Sequence, residues 1–260
     1  MSALVPYRRR ATRRTGGAFE ITERDIELLA LVSLAGYVSV AQIAREFFPS
    51  VDRCRRRLRQ LFDGRLITVT LASSTKPNLI SLTRPGLALV LKRRPELNGR
   101  AYLAGAIRLA GVDHHLAVVD ARLYAAALGE LRGVPLLQWS NAGGTLPRDL
   151  GLIDWHLTPD GIAQFGRSFV GIEVDLNTEP RSVIASKLDR YTGAMKAGLL
   201  HSLWFVARAA PERLVGIGGL ISERGLSGAV RVLDHALVCA RPVVDVGALD
   251  GAATNRKEDR

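Results

Sequence analysis

Apolar and polar positions recur along this chain with two periods, and the changes of period mark its parts. From residue 22 a helical spacing puts Ile26, Leu29, Ala30, Val32 and Leu34 on one stripe. Thr22 is placed to cap that helix, with Asp25 three residues on as the second half of a capping box and Gly36 as the stop. Ser39 opens a second, short helix over residues 40–47, with Ile43, Phe47 and Phe48 apolar. Pro49-Ser50 breaks it and caps a third, in which Val51, Cys54, Leu58, Leu61 and Phe62 share a face before Gly64 ends it. The period then drops to two. Residues 66–71 alternate as a strand, residues 73–78 form a turn with Lys76-Pro77 at its tip, and residues 79–82 return. A helix over residues 83–94 closes the set. Three helices followed by a β-hairpin predict a winged helix-turn-helix.

Pro95, Gly99, Gly105 and Gly111 punctuate a junction over residues 96–112. Beyond it the pattern predicts a helix (113–131), a strand (135–139), a loop (141–144), strands at 150–157 and 169–176, a helix (181–196), a strand (203–206) and a helix (211–224). Short edge strands follow at 230–233 and 236–238. A helix, three strands, a helix and a further strand imply an α/β sandwich around a small mixed sheet, which makes the whole chain α+β. The predicted organisation is a basic arm (1–18), a winged helix (19–95), the junction, a second domain (113–247) and a solvated tail (248–260).

Charge sharpens this division. The chain carries a net +11 over 260 residues. Residues 1–100 hold 19 Lys and Arg against 8 Asp and Glu, and the remainder holds 17 of each, so the whole excess sits in the first part. The third helix concentrates it: Arg53, Arg55, Arg56, Arg57 and Arg59 accompany a single Asp52. Such a face calls for a polyanion, and the phosphates of double-stranded DNA are the obvious one. In a helix-turn-helix the third helix enters the major groove. Gln42, Arg53, Arg56 and Arg57 are then candidate contacts, with Arg55 and Arg59 beside them and Lys76 on the hairpin tip. Arginine suits both phosphate and guanine edges because its fork donates paired hydrogen bonds. A merely solvated basic face, or a winged helix used for protein contacts, competes with this reading. The arginines at 8, 9, 10, 13 and 14 suit an arm that touches DNA, or an idle tail. The two cysteines, Cys54 and Cys239, lie far apart with no zinc-ligand spacing or disulfide framework, which fits a reducing cytoplasm. No apolar run is long enough to span a membrane.

Candidate chemistry in the neutral part is acidic. As a strand, residues 152–157 put Asp154 and His156 on one face. In the strand over 169–176, Val170, Ile172 and Val174 face a core while Glu173 and Asp175 share the other side. Neighbouring strands would bring three carboxylates together, a donor set that suits Mg²⁺ or Mn²⁺ and, with such an ion, phosphodiester hydrolysis. Lys187, at the edge of the apolar face of the following helix, reaches back toward them. A structural ion-pair set with Lys187 and Arg190 is the competing reading. His114 and His115 open the helix at 113.

The run Thr22-Glu23-Arg24-Asp25, then Arg56-Arg57-Leu58-Arg59-Gln60-Leu61 and Leu82-Thr83-Arg84-Pro85-Gly86, resembles the replication-relaxation proteins of plasmids and other mobile elements. So do His114-His115-Leu116-Ala117-Val118, Ile153-Asp154, the stretch 169–175 and Lys187-Leu188-Asp189-Arg190-Tyr191. The resemblance runs over roughly residues 20–235 and rests on the order of the motifs. It implies that the second domain is similar to the PD-(D/E)xK nuclease fold, with Asp154 as the first metal-binding acid and Glu173 as the second. Asp175 stands where that pattern has its lysine, and Ile153 where it has a proline; Lys187 is then a relocated lysine, or the domain is an inactive scaffold. The resulting expectation is a DNA-binding protein of a mobile element, its second domain used for homodimerisation or for contact with DNA, replication or mobilisation proteins. A Mg²⁺-dependent endonuclease targeted by the same winged helix and a transcriptional regulator are the alternatives.

Overall fold

The structure, a computed structural model, describes residues 19–71, 77–142, 144, 146–208 and 211–240. The expected arm, the tail over 248–260 and Lys76 at the hairpin tip lie outside the described residues. The fold is α+β and divides into two compact units, residues 1–116 and 117–260.

In the first unit, α1 (Glu23–Ala35), α2 (Val40–Phe47) and α3 (Val51–Asp63) precede β2 (Ile67–Leu71), β3 (Asn78–Leu82) and α4 (Arg84–Arg93). The local signals act as expected. The Thr22 hydroxyl accepts from the Asp25 amide and the Asp25 carboxylate accepts from the Thr22 amide, a complete capping box. Ser39 and Gln42 form a second box on α2, Ser50 caps α3, and Thr83 caps α4. Gly36, at φ 84, ends α1 and turns the chain into β1 (Tyr37–Ser39), a strand of three residues that periodicity does not reveal. It pairs antiparallel with β3, which pairs antiparallel with β2. α1 is buried on nearly every side by Ile26, Leu28, Leu29, Leu31 and Val32 and is the central helix of this unit. Gly86 lets the first turn of α4 lie against the Leu66 carbonyl, where a Cβ would collide.

The second unit is built on a five-stranded mixed sheet in the order β4 (Leu136–Asn141), β5 (Gly161–Phe165), β6 (Ser168–Asp175), β7 (Ser202–Ala207), β8 (Val230–Asp234). β4, β5 and β6 are antiparallel neighbours; β6, β7 and β8 run parallel. The parallel strands are linked through α7 (Arg181–Lys196) and α8 (Pro211–Glu223). Consecutive right-handed crossovers that advance in one direction put both helices on one face. There Ile184, Leu188, Tyr191, Ile217 and Leu220 pack against Ile162, Leu203 and Phe205. The opposite face, with Val170, Ile172, Val174, Trp204 and Val206, is covered by α5 (Val112–Leu131) through Ala117, Ala121, Ala125 and Leu128. A short α6 (Leu146–Asp149) follows β4, and α9 (His235–Cys239) ends the described chain.

Two expected strands are corrected. Residues 150–157 form no strand: Leu152–Trp155 is a 3-10 turn, bounded by Gly151 at φ 73 and His156 at φ 52. Left-handed residues at both ends prevent an extended path, and the apolar residues divide, with Leu152 and Leu157 buried and Ile153 and Trp155 exposed. The strand of this region is β5, directly downstream. Residues 236–238 are helical, in α9, because the Asp234 side chain caps that helix by accepting from the Ala236 amide.

One ion pair anchors the first unit. Arg57 of α3 meets the fully buried Asp25 of α1 with two nitrogens, Nε lying 2.8 Å from Oδ1 and Nη2 contacting Oδ2, and its own side chain is 14% exposed. Burial works to raise the Asp25 pKa, but the hydrogen bonds from Arg57 and Thr22 and the Arg57 charge outweigh it and hold the carboxyl below its ordinary value. A group depressed in this way stabilises the fold above its unfolded pKa of about 3.9 and loses that contribution as pH falls through the lower folded value. Breaking a buried pair leaves an uncompensated charge at a cost of about 3–5 kcal/mol. Urea unfolding at pH 7 is therefore expected to show Asp25→Ala destabilised by about that amount, with the gap to wild type narrowing once the pH drops below about 4.

Candidate functional site

The five arginines of α3 do not share one environment. Arg57 is committed to Asp25, to Gln60 Oε1 at 2.7 Å and to the Glu20 carbonyl at 2.6 Å, and lies over the Phe19 ring. Arg59 pairs with Asp63 at 3.0 Å, one helical turn on. Arg55 and Asp52 approach to 3.7 Å with both side chains largely in solvent, a contact worth little. Arg53 and Arg56 are exposed and form no ion pair among the described residues. The outward charge of the helix is thus Arg53, Arg55 and Arg56. Gln42 points inward: it is buried, its carbonyl oxygen accepts from the Ser39 amide at 3.0 Å, and its amide nitrogen donates to the Leu116 carbonyl at 2.7 Å. Gln42 and Arg57 are structural in this geometry. So is His115, stacked on Tyr37 with centroids 3.8 Å apart and hydrogen-bonded to the Tyr37 carbonyl; burial, chiefly, lowers its pKa.

In the second unit, the central strand β6 carries Glu173 and Asp175 toward α7 and α8, both fully packed over. Glu173 Oε2 accepts from Lys187 Nζ at 2.8 Å, and Oε1 accepts from the Tyr191 hydroxyl at 2.5 Å. Lys187 also donates to Glu179 Oε1 at 2.6 Å. The other Glu179 oxygen, Oε2, is buried with no hydrogen-bond partner among the described residues. Asp160, just ahead of β5, is fixed to β6 by accepting from the Val174 amide at 2.8 Å. Burial raises the Glu173 pKa, and the nearby Asp160 charge raises it further against the pull of Lys187 and Tyr191. For Lys187, burial acts to lower the pKa, but Glu173 and Glu179 outweigh it and hold it above the ordinary lysine value. Tyr191, buried against Glu173, is pushed well up.

The expected acids therefore separate. Glu173 and Lys187 come together as the sequence suggests. Asp175 belongs to a different contact: Arg213 of α8 reaches Oδ2 with Nε at 2.8 Å and with Nη2, and Oδ1 accepts from the Thr178 and Glu179 amides at 3.0 and 3.3 Å. Arg190 donates to the His156 carbonyl and not to the acids. Asp154 sits exposed on the 3-10 turn, so the strand-to-strand approach expected for it does not exist. The acid that does approach Glu173 is Asp160, which the sequence reading missed. Its signal was present as Pro159-Asp160-Gly161, an acid behind a proline and directly before the apolar stretch of β5. Tyr191 entered the sequence analysis only as the last residue of the motif at 187–191, and nothing local marks Arg213 or Glu179.

Among the described residues, no helix is long and apolar enough to cross a membrane. No curated protein and no solved structure matches this chain. A model of the replication-relaxation family matches residues 29–201, more than half of the sequence, from α1 through the sheet strands that carry Glu173 and onward past Lys187. The motifs at residues 56–61, 82–86, 114–118, 169–175 and 187–191 all fall within that match, and the chain belongs to the replication-relaxation family.

Proposed function

We propose that this protein binds double-stranded DNA through its first unit, in the replication or relaxation of a plasmid or other mobile element. In this reading α1, α2 and α3 with the β2–β3 hairpin are a winged helix-turn-helix, and α3 lies in the major groove. The observation that carries it is the outward face of α3, where Arg53 and Arg56 have no acid partner among the described residues and Arg55 has only a solvent-screened one. Arg57 serves the fold and Arg59 shares its charge with Asp63, so the DNA-contacting set is smaller than the sequence count implies. The second unit is then a nuclease-like scaffold that docks a second copy of the chain, or replication or mobilisation proteins.

A second reading, a Mg²⁺- or Mn²⁺-dependent endonuclease, is favoured by Asp160, Glu173 and Lys187. Proline precedes the first of these acids, as in the PD-(D/E)xK pattern, and the second lies on the adjoining strand. The donor chemistry fits a hard cation: two mutually repelling carboxylates, and an orphaned carboxylate oxygen on Glu179 beside them. Asp160 and Glu173 would hold the ion, which supplies activation of water for attack on a phosphodiester. Lys187 places positive charge where negative charge develops, and Tyr191 fixes the Glu173 carboxylate.

Two measurements test these readings. Affinity for duplex DNA, titrated with salt, should fall steeply, and the slope of log K against log salt should drop by roughly one for each of Arg53→Ala and Arg56→Ala. A flat salt dependence in wild type refutes the DNA reading. Supercoiled plasmid incubated with Mg²⁺ or Mn²⁺ decides the second reading. Nicking that disappears in Asp160→Asn and Glu173→Gln but survives in Asp154→Ala identifies an enzyme, whereas footprinting on DNA without nicking identifies a binder.

A further inference from the structure

Cys239 and His235 lie one turn apart on α9, an (i, i+4) spacing that puts both side chains on the same face. Asp120 of α5 meets them there, although 115 positions separate it from His235 in sequence. Asp120 and His235 are buried and Cys239 is partly exposed. His235 Nε2 is 3.4 Å from Asp120 Oδ2; Cys239 Sγ is 3.4 Å from the same oxygen and 3.6 Å from Nε2.

These three edges have a definite meaning. Zinc binds sulfur at about 2.3 Å, imidazole nitrogen at about 2.0–2.1 Å and carboxylate oxygen at about 2.0–2.2 Å in tetrahedral geometry. The same bond lengths at a tetrahedral angle put nitrogen and oxygen about 3.3–3.5 Å apart, and sulfur about 3.5–3.7 Å from either. The Asp120–His235–Cys239 triangle has the size of one face of that tetrahedron. A catalytic triad does not fit. There the imidazole stands between acid and thiol and uses a different nitrogen for each. Here the sulfur is nearly equidistant from both ring nitrogens, at 3.7 and 3.6 Å, and contacts the acid directly.

We propose that Asp120, His235 and Cys239 form a zinc site with a fourth position open to water or an added ligand, pinning α9 to α5. The thiolate and imidazole select Zn²⁺ over Mg²⁺, which separates this site from the carboxylates around Glu173. Cys54 offers no comparable site: it is fully buried beside the Val40 carbonyl, and burial pushes its pKa up to about 11.

The test uses the full chain stripped of metal with a chelator. Titration should bind one Zn²⁺ per chain in the presence of excess Mg²⁺. Co²⁺ in its place should show a thiolate-to-metal charge-transfer band and the visible spectrum of a tetrahedral ion. Cys239→Ser should remove the charge-transfer band, and His235→Ala should weaken Zn²⁺ binding by more than the roughly hundredfold loss seen for outer-sphere partners. Cys54→Ser should leave both readouts unchanged. Absence of stoichiometric Zn²⁺ binding, or of the charge-transfer band in wild-type protein, overturns the proposal without reference to any variant. A band that persists in Cys239→Ser does the same.

Discussion

Both faces of the central strand of the second unit are covered by helices, and this constraint shapes everything around it. A strand with one open face leaves its acids in water at no cost. On β6 the faces are taken by α5 on one side and by α7 and α8 on the other, so Glu173 and Asp175 are buried. An isolated buried carboxylate costs several kcal/mol, and the fold tolerates it only with a partner in place. Lys187 and Tyr191 on α7 answer Glu173, and Arg213 on α8 answers Asp175. Apolar packing sets how closely these helices approach the sheet. The ionic contacts fix their rotation and their position along it, because only one setting brings each cation to its acid.

The first unit repeats this logic and turns it to a different end. The buried Asp25 of α1 claims Arg57, so one arginine of α3 is spent on docking that helix to the core. Once Arg57 is held, the 100° step between residues turns Arg56 to the outside, while Arg53, one helical turn before Arg57, stays exposed near the start of the helix. The same pair that stabilises the unit therefore orients its cationic face. Charge along α3 is a gradient from structural to solvent-facing, although as a string of letters it reads as a uniform block.

The first three helices were legible because each carries its own start signal. Thr22, Ser39 and Ser50 cap as the sequence implies, and α7 occupies the span predicted for it. The alternation in β6 also assigned its two faces correctly. Failures came where a short apolar alternation lacked any check on φ. Residues 150–157 alternate like a strand, yet the left-handed conformations at Gly151 and His156 turn them into a loop, and the strand was placed one segment too early. That error moved the candidate acid from Asp160 to Asp154. The partners of Asp175 and the third member of the zinc-type triangle are separated from their mates by dozens of residues. Only the topology of the sheet and its covering helices brings them together, and no local pattern encodes it.

The 3-10 turn that replaced the expected strand has a role of its own. Gly193 on α7 faces the Trp155 ring so closely that a Cβ there would collide with it, and Arg190, one turn earlier, donates to the His156 carbonyl. The turn is thus a buttress clipped to the exposed flank of the helix that carries Lys187 and Tyr191. Substitution at Asp154 would leave that clip in place, whereas a single methyl at Gly193 would collide with the Trp155 ring and force the turn or the helix to shift. Of the two positions, the one with no side chain is the less replaceable.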